Sequence, residues 1–570
     1  MSRKHLFFLL LICILGFTLR FYRLGDVPVG FHRDEAFLGY NAYSLLKTGR
    51  DMSGKLLPLH FESFIYSPGG YSYLTIPAII LFGLNEFSVR FPAAFLGVLT
   101  VPLVFFLTRK LFPKGKISVP FLSAFFVAII PWHINLSRAS AESIPVVFFI
   151  SLGVYLFIQW IKIEKTYLLF FSFLSFLITV SLYQAPRAFL PLFIPLLIVT
   201  MISLRDKKKI ITSSIFYIFL IILPVIIILA TPTLSTRMRT VGIWSTQETK
   251  LLTEEQIRED GISGVTPFFS RVVHNKFIGF SEAFIKNYFL HLSYNFLFTD
   301  SGYPDRYRVP NAGLLYLSLL PLLVFGFAHV FLNYTKQAIL LTGWILLAIV
   351  GSALTFDDIP NLQRTVLVFP ALPIIMSFGV QTIIQKKYKK IGLCIIAGLL
   401  LFLSFECYRY LHHYYIQQIV HRPWYRQEGY KELVTTVENV KDDYQRYIIT
   451  NRESAPAIFF LFFTKYDPKK FQDETRSSSF RDFDRINFSN YTFSTEECPL
   501  KEVQYTDVET QKLKTDCYAE PNTLYVNSGL CETPTVCANI LHTVKRKDNT
   551  SVFVVMERSQ AAASLSGSTK

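Results

Sequence analysis

The chain has 570 residues, 51% of them hydrophobic and 55 of them Phe, with only 17% charged. Such a composition excludes a water-soluble fold of this length and indicates a polytopic membrane protein. The formal charge of +16 does not point to nucleic acid, because Lys and Arg gather in short loops between apolar runs, where they read as topology signals.

A span needs about 20 mostly apolar residues, and on that rule eleven are predicted, near 5–22, 91–109, 117–132, 144–161, 167–185, 187–204, 210–230, 312–332, 337–355, 365–385 and 391–407. The segment 71–84 is short and contains Pro77. If it does not cross, the basic loops at 109–116, 162–165, 205–209, Lys336 and 386–390 share one side with Arg3 and Lys4. Short Lys/Arg-rich loops stay cytoplasmic, so the N-terminus is expected inside and the C-terminus outside a plasma (inner) membrane. The first span lacks a small-residue cleavage site and reads as a retained anchor.

This topology puts the chemically varied turns outside: the loop 23–70, the turn 131–142, the turn 183–187, the loop 231–311 and the turn 357–364. In the first loop, Asp34 and Glu35 stand just beyond a span, where a carboxylate is a functional candidate by default. Asp34 is the expected N-cap of a membrane-surface helix over 35–47 that stops at Gly49. In the long loop, an acidic, mobile part (247–260) is expected to precede aromatic interfacial helices (268–298).

Three domains follow. Residues 1–407 form a transmembrane domain, within which 23–90 is the first outer loop with interfacial helices and 231–311 the long one. Residues 408–560 form a small extracytoplasmic α/β domain, with a helix over 430–440 and strands at 447–450, 523–526 and 552–555, and 561–570 is a disordered tail. Cys498, Cys517, Cys531 and Cys537 cluster in that domain and fit two disulfides of open connectivity in an oxidising compartment.

The chain shows no Gly-rich nucleotide cradle. An enzyme on the outer face needs an activated group delivered there, and a membrane lipid phosphate is a suitable carrier. Arg138, Arg187 and Arg364 lie at outer span ends and are the candidates for donor phosphate binding. Glu142, His133 and Glu62 are candidates for acceptor or metal contacts. Glu142 also stands one helical turn from Arg138, where neutralising it is the simpler role. No metal spacing is evident; the metal is unknown, a divalent ion being a candidate and no cofactor certain.

The runs Arg23-Leu-Gly, Pro28, Gly30, Asp34-Glu-Ala, Gly39-Tyr and Leu45-Leu-Lys-Thr-Gly49, then Tyr66-Ser-Pro-Gly-Gly-Tyr71 and Arg90-Phe-Pro, resemble the start of bacterial membrane glycosyltransferases. These belong with the protein O-mannosyltransferases and the lipid A aminoarabinose transferase, in the family 39-like, class C group. Trp132-His, Leu136-Ser-Arg138, Glu142, Tyr183-Gln-Ala-Pro-Arg187 and His291-Leu-Ser extend the resemblance, which covers roughly 15–385. It implies a class C fold with about 11 spans and a polyprenyl-phosphate sugar donor. It also implies a glycan, lipid or protein acceptor, inversion at the anomeric carbon, and Asp34, with Glu35 beside it, as the catalytic element. A helix start stabilises a carboxylate's charged form and so weakens it as a base, an objection eased by late proton transfer. At 66–70 the chain lacks the lipid A enzyme's Lys-Pro-Pro element, which speaks against aminoarabinose. The alternatives are a transporter or flippase of lipid-linked glycans, which would want ionisable groups within spans, and a scaffold, for which eleven spans are more than an anchor requires.

Overall fold

The computed structural model describes residues 2–62, 67–230, 240–384, 389–476, 486–506, 513–517, 519–534 and 538–559. Tyr66, the basic turn at 385–388, Cys537 and the tail 561–570 lie outside these residues. The chain forms two compact units, Met1–Leu24 with Arg90–Tyr414, and Gly25–Val89 with Tyr415–Lys570. The expected boundary after 407 keeps 23–90 in the membrane domain, whereas residues 25–89 fold with the C-terminal stretch.

The first unit is helical. Helix α1 (Arg3–Phe21) is followed, after α2 (Arg33–Thr48) and α3 (Gly70–Phe82) of the other unit, by α4 (Glu86–Leu111), α5 (Ser118–Ile129), α6 (Pro131–Ser137), α7 (Ser143–Ile163), α8 (Thr166–Leu182), α9 (Ala185–Met201) and α10 (Lys207–Ala230). The long loop contributes α11 (Gln247–Ile262), α12 (Pro267–Val273) and α13 (Lys276–Leu290). The unit then closes with α14 (Leu320–Asn333), α15 (Thr335–Ala353), α16 (Ala371–Ile383) and α17 (Lys389–His412). A helix stands at each of the eleven expected spans. Among the described residues five helices are long and apolar enough to cross a membrane, and two more crossings result if each bent pair is one span. The bends are 55° between α5 and α6 and 53° between Leu362–Val368 and α16. Both have the same cause, a proline (Pro131, Pro370) that lacks an N–H and cannot continue the helix before it. The protein is thus a multi-pass helical membrane protein carrying a smaller α/β portion.

In the second unit, β3 (Arg446–Thr450), β4 (Tyr491–Ser494), β7 (Thr523–Ser528), β8 (Ala538–Lys545) and β9 (Ser551–Arg558) build a five-stranded sheet in the order β4-β3-β7-β9-β8. Strand β3 is parallel to both β4 and β7, while β9 is antiparallel to β7 and β8. The helix and strands expected here are all present, as α18 (Tyr430–Asn439), β3, β7 and β9. Helices α19 (Pro456–Phe463) and α20 (Pro468–Glu474) complete the unit, with two strand pairs, β1 (His60–Phe61) with β2 (Ser67–Pro68) and β5 (Glu502–Thr506) with β6 (Leu513–Cys517).

The core of this unit explains its composition. Phe31, Phe37, Tyr40, Leu45 and Phe61 from the first loop share one buried cluster with Tyr430, Phe459, Phe462 and Phe471 from the C-terminal stretch. Phe31 and Phe462 lie 4.7 Å apart between ring centroids, and Tyr430 stacks on Phe459 at 4.0 Å. A Cβ at Gly39 would sit 2.6 Å from Val89 and 2.7 Å from Phe462, so α2 approaches α19 as closely as it does only because residue 39 has no side chain. Gln472 ties the same segments with its amide, donating to Ser44 Oγ (3.1 Å), Thr48 Oγ1 (3.2 Å) and the Asp51 carbonyl (2.8 Å). Cys498 and Cys531 form a disulfide; the other expected pair involves Cys537, outside the described residues.

Candidate functional site

Helix α2 starts two residues earlier than the sequence suggests, and the N-cap is His32, not Asp34. The Asp34 N–H donates to His32 Nδ1 at 3.2 Å, so the ring nitrogen serves as the cap's acceptor. In return Glu35, buried in the unit, accepts from the His32 N–H at 3.3 Å, closing a capping box. Asp34 is thereby relieved of the cap. Its side chain is 50% exposed, with Oδ2 3.5 Å from His32 Nδ1. At the far end Gly49 takes φ 68°, the left-handed conformation that ends a helix.

The first helical N–H, that of Arg33, goes to Gln427 Oε1 at 2.8 Å, and Arg33 Nη1 donates to Ser454 Oγ. Glu62 is paired with Lys55 at 2.6 Å. Asp51 is buried, and its Oδ1 accepts from Ser53 Oγ (2.7 Å) and the Lys55 N–H (2.9 Å). Burial raises this carboxyl above its ordinary range despite those bonds.

The arginines of the membrane unit have distinct surroundings. Arg138, expected at an accessible span end, is fully buried. Its Nη1 donates to the Leu19 carbonyl (3.1 Å), Nη2 to the Tyr22 carbonyl (2.6 Å) and Nε to the Tyr414 hydroxyl (3.2 Å). It caps the C-terminal end of α1, where helix carbonyls lack intrahelical donors. Arg20 does the same for α5, donating to the carbonyls of Val127 (2.8 Å) and Ala128 (3.1 Å) where Pro131 interrupts the helix. Arg20 Nη2 also lies 2.9 Å from Nδ1 of His133, which is wholly buried. A Cβ at Gly97 would lie 2.4 Å from Ser137 Oγ and 3.3 Å from Arg20 Nε, so glycine makes room for this pair. The sequence does not single out Arg20; its position in the last turn of α1 is the only signal it gives.

Arg187 and Arg364 are partly buried. Arg187 donates through Nε and Nη2 to the Val180 carbonyl (3.3 and 3.1 Å). Arg364 makes a two-pronged contact with Asp357, Nη1 to Oδ1 and Nη2 to Oδ2, each 3.0 Å, and reaches Thr355 Oγ1 at 2.6 Å. Glu142 accepts from Gln363 Nε2 at 2.8 Å, and Tyr183 lies within electrostatic reach of Arg364. The three polar turns carrying Glu142, Arg187 and Arg364 therefore gather in one place, whereas Arg138 and His133 point into the bundle. Asp357 and Gln363 were not singled out from sequence, although both belong to the quoted turn 357–364. Next to them, solvent reaches Asp358, yet protein crowds it. That crowding raises its carboxyl, with Arg364 opposing the rise, Asp357 adding to it and Arg306 opposing it. Among the described residues no group of three or more His, Cys, Asp or Glu could hold a metal ion.

Comparison with known proteins bears on the membrane part. Residues 10–245 match the family model described as dolichyl-phosphate-mannose-protein mannosyltransferase. An uncharacterised protein of Aquifex aeolicus (strain VF5) is 28% identical over 167 residues, which are 29% of this chain and 32% of that protein. The chain therefore spans about a third of the length of that relative. Among solved structures, the archaeal oligosaccharyltransferase AglB from Archaeoglobus fulgidus, in complex with an inhibitory peptide and a dolichol-phosphate, aligns with TM-score 0.47 and 13% identity, over 81% of this chain and 64% of that one. ArnT from Cupriavidus metallidurans bound to undecaprenyl phosphate aligns with TM-score 0.49 and 11% identity, over 96% and 97%. The segment that bears Asp34 is thus similar to the dolichyl-phosphate-mannose-protein mannosyltransferases, the group that the motifs around Asp34 resemble.

Proposed function

We propose that the protein is an integral-membrane glycosyltransferase of class C fold. It moves a sugar from a polyprenyl-phosphate donor to an acceptor hydroxyl on the outer face of the membrane, with inversion. The observation that carries this reading is the start of α2, where His32 and Glu35 do the capping and leave the Asp34 carboxylate at the exposed helix end. The family match over 10–245 supports it. So does the disulfide Cys498–Cys531, a feature of oxidising compartments, for an extracytoplasmic C-terminal unit.

In this mechanism Asp34 takes the proton of the acceptor hydroxyl as its oxygen attacks the anomeric carbon and the bond to the lipid phosphate breaks. Glu35 holds the helix start. The leaving phosphate is a weak base and needs no general acid, only cations to stabilise its charge. Arg187 and Arg364 are the arginines for that role, because each keeps a partly buried guanidinium among the gathered polar turns. Arg138 acts one step removed, by fixing the end of α1. Glu142, which accepts from Gln363, is assigned the acceptor contact.

The test is transfer from a panel of radiolabelled polyprenyl-phosphate sugars, in membranes holding the intact chain or Asp34→Asn at equal folded amounts. Loss of a base contributes 10²- to 10⁴-fold, so label should move with the intact chain and fall by about that factor in the variant. Equal transfer by both would remove Asp34 from the mechanism.

A further inference from the structure

Two turns from the C-terminal stretch meet the start of α2, and both have unusual backbone. Gln427 has φ 52° and Gly429 φ 111° in one; Ser454 has φ 63° and Ala455 φ 53° in the other. Side chains rarely adopt this left-handed conformation, and it persists where surrounding contacts fix it. Gly30, at φ 81°, completes the meeting point, since a Cβ there would lie 2.7 Å from the Arg426 carbonyl oxygen.

One side chain joins the three segments. Gln427 is buried, and its Oε1 accepts the Arg33 N–H at 2.8 Å while its Nε2 donates to the carbonyls of Glu453 (2.6 Å) and Ser454 (2.9 Å). The Tyr430 hydroxyl donates to the same Ser454 carbonyl at 3.2 Å, and Arg33 Nη1 reaches Ser454 Oγ. The first N–H of the Asp34 helix is therefore satisfied by an amide whose other end is fixed to the 453–454 backbone. A polar group buried with three hydrogen bonds has little freedom to move, because breaking any one leaves a buried donor or acceptor unpaired.

We propose that Gln427 is a positioning residue for Asp34: through its carboxamide, the C-terminal stretch sets where α2 begins and hence where the base stands. The inference rests on the glycosyltransferase reading and deepens it. A loosened helix start moves the carboxylate relative to the acceptor hydroxyl, and displacements near 1 Å cost about 10²-fold in rate.

The experiment uses the full chain with the radiolabelled donor that Asp34-dependent transfer identifies, and compares Gln427→Leu and Gln427→Glu with the unmodified protein. Gln427→Leu removes all three bonds at similar volume; Gln427→Glu keeps the acceptor for the Arg33 N–H and loses both donors. The expected result for Gln427→Leu is faster hydrogen exchange at amides 33–37. Its kcat falls roughly 10- to 100-fold with donor KM little changed. Gln427→Glu should lie between, and is read in place of Gln427→Leu if that variant does not fold. Unchanged exchange, or faster exchange with kcat as in the unmodified protein, overturns the positioning role while Asp34→Asn remains inactive. Full transfer by Asp34→Asn overturns the reading beneath it, and the positioning role with it.

Discussion

Arg20 and Arg138 show how little a residue's type says about its partner. Both guanidiniums end on backbone carbonyls at the C-terminal ends of helices, α5 for Arg20 and α1 for Arg138. Read along the chain, Arg138 at a span end looks like a phosphate ligand, because nothing local reveals that α1 terminates beside it. His291 is the complementary case. It is buried, with Nδ1 2.7 Å from the Asn287 carbonyl, and Nε2 near Ser352 Oγ (2.8 Å) and accepting the Asn361 N–H (3.0 Å). These contacts suit the neutral ring, and burial holds its pKa down to about 4, the Asn287 bond opposing and Arg364 adding to the shift. The unfolded ring binds its proton near 6.5, so stability is full above that value and is lost as pH falls toward 4. The loss is on the order of 3 kcal/mol. Thermal unfolding of purified protein should therefore soften between pH 6.5 and 4, and His291→Gln should flatten that slope; an equal slope in both proteins would assign it to other groups.

Helix α2 was legible as an element from its apolar spacing and Gly49, while its cap was not. Asp before a helix is a common N-cap, but His32 takes the role because its ring reaches the Asp34 N–H. In the long loop the acidic stretch expected to be mobile is instead the helix α11, Gln247–Ile262. Its Glu, Gln, Lys, Leu and Arg residues are good helix formers, and Thr253 packs against Gly279 of α13. The aromatic stretch forms helices as expected. Tyr288 of α13 donates to the Leu346 carbonyl, within the span α15, at 2.9 Å. The loop thus reaches the depth of a spanning helix. Phe268 (72%), Phe269 (64%) and Phe277 (80%) are exposed, and apolar rings exposed on membrane-surface helices are expected to face lipid. Trp placed at 269 or 277 in liposomes should emit blue-shifted fluorescence and be quenched by brominated acyl chains. Quenching by aqueous iodide instead would put these helices in water.

The order of the chain alternates between the two units: residues 1–24 in one, 25–89 in the other, 90–414 in the first again and 415–570 in the second. The segment bearing Asp34 buries Phe31, Phe37, Tyr40 and Leu45 in a core that it shares with α18, α19 and α20. A chain ending at residue 414 would lose those partners. Burying each such side chain contributes about 1.5–3 kcal/mol, so the segment 25–89 should become sensitive to limited proteolysis in that truncation and resist it in the full chain. Equal resistance would mean that the first loop folds without the C-terminal stretch.

Composition and apolar run length determined the membrane class and helix positions, since a span is a local property of about 20 residues. Alternation and β-branched runs gave strands β3, β7 and β9, and the Asp34 motif gave the resemblance that the match over residues 10–245 shares. Tertiary structure alone decided that residues 25–89 fold with the C-terminal stretch, that Gln427 meets the helix bearing Asp34, and that Arg138 ends on α1 carbonyls. Each of these joins residues more than 100 positions apart, and such a pairing depends on which buried donor finds which acceptor. No local spacing encodes that.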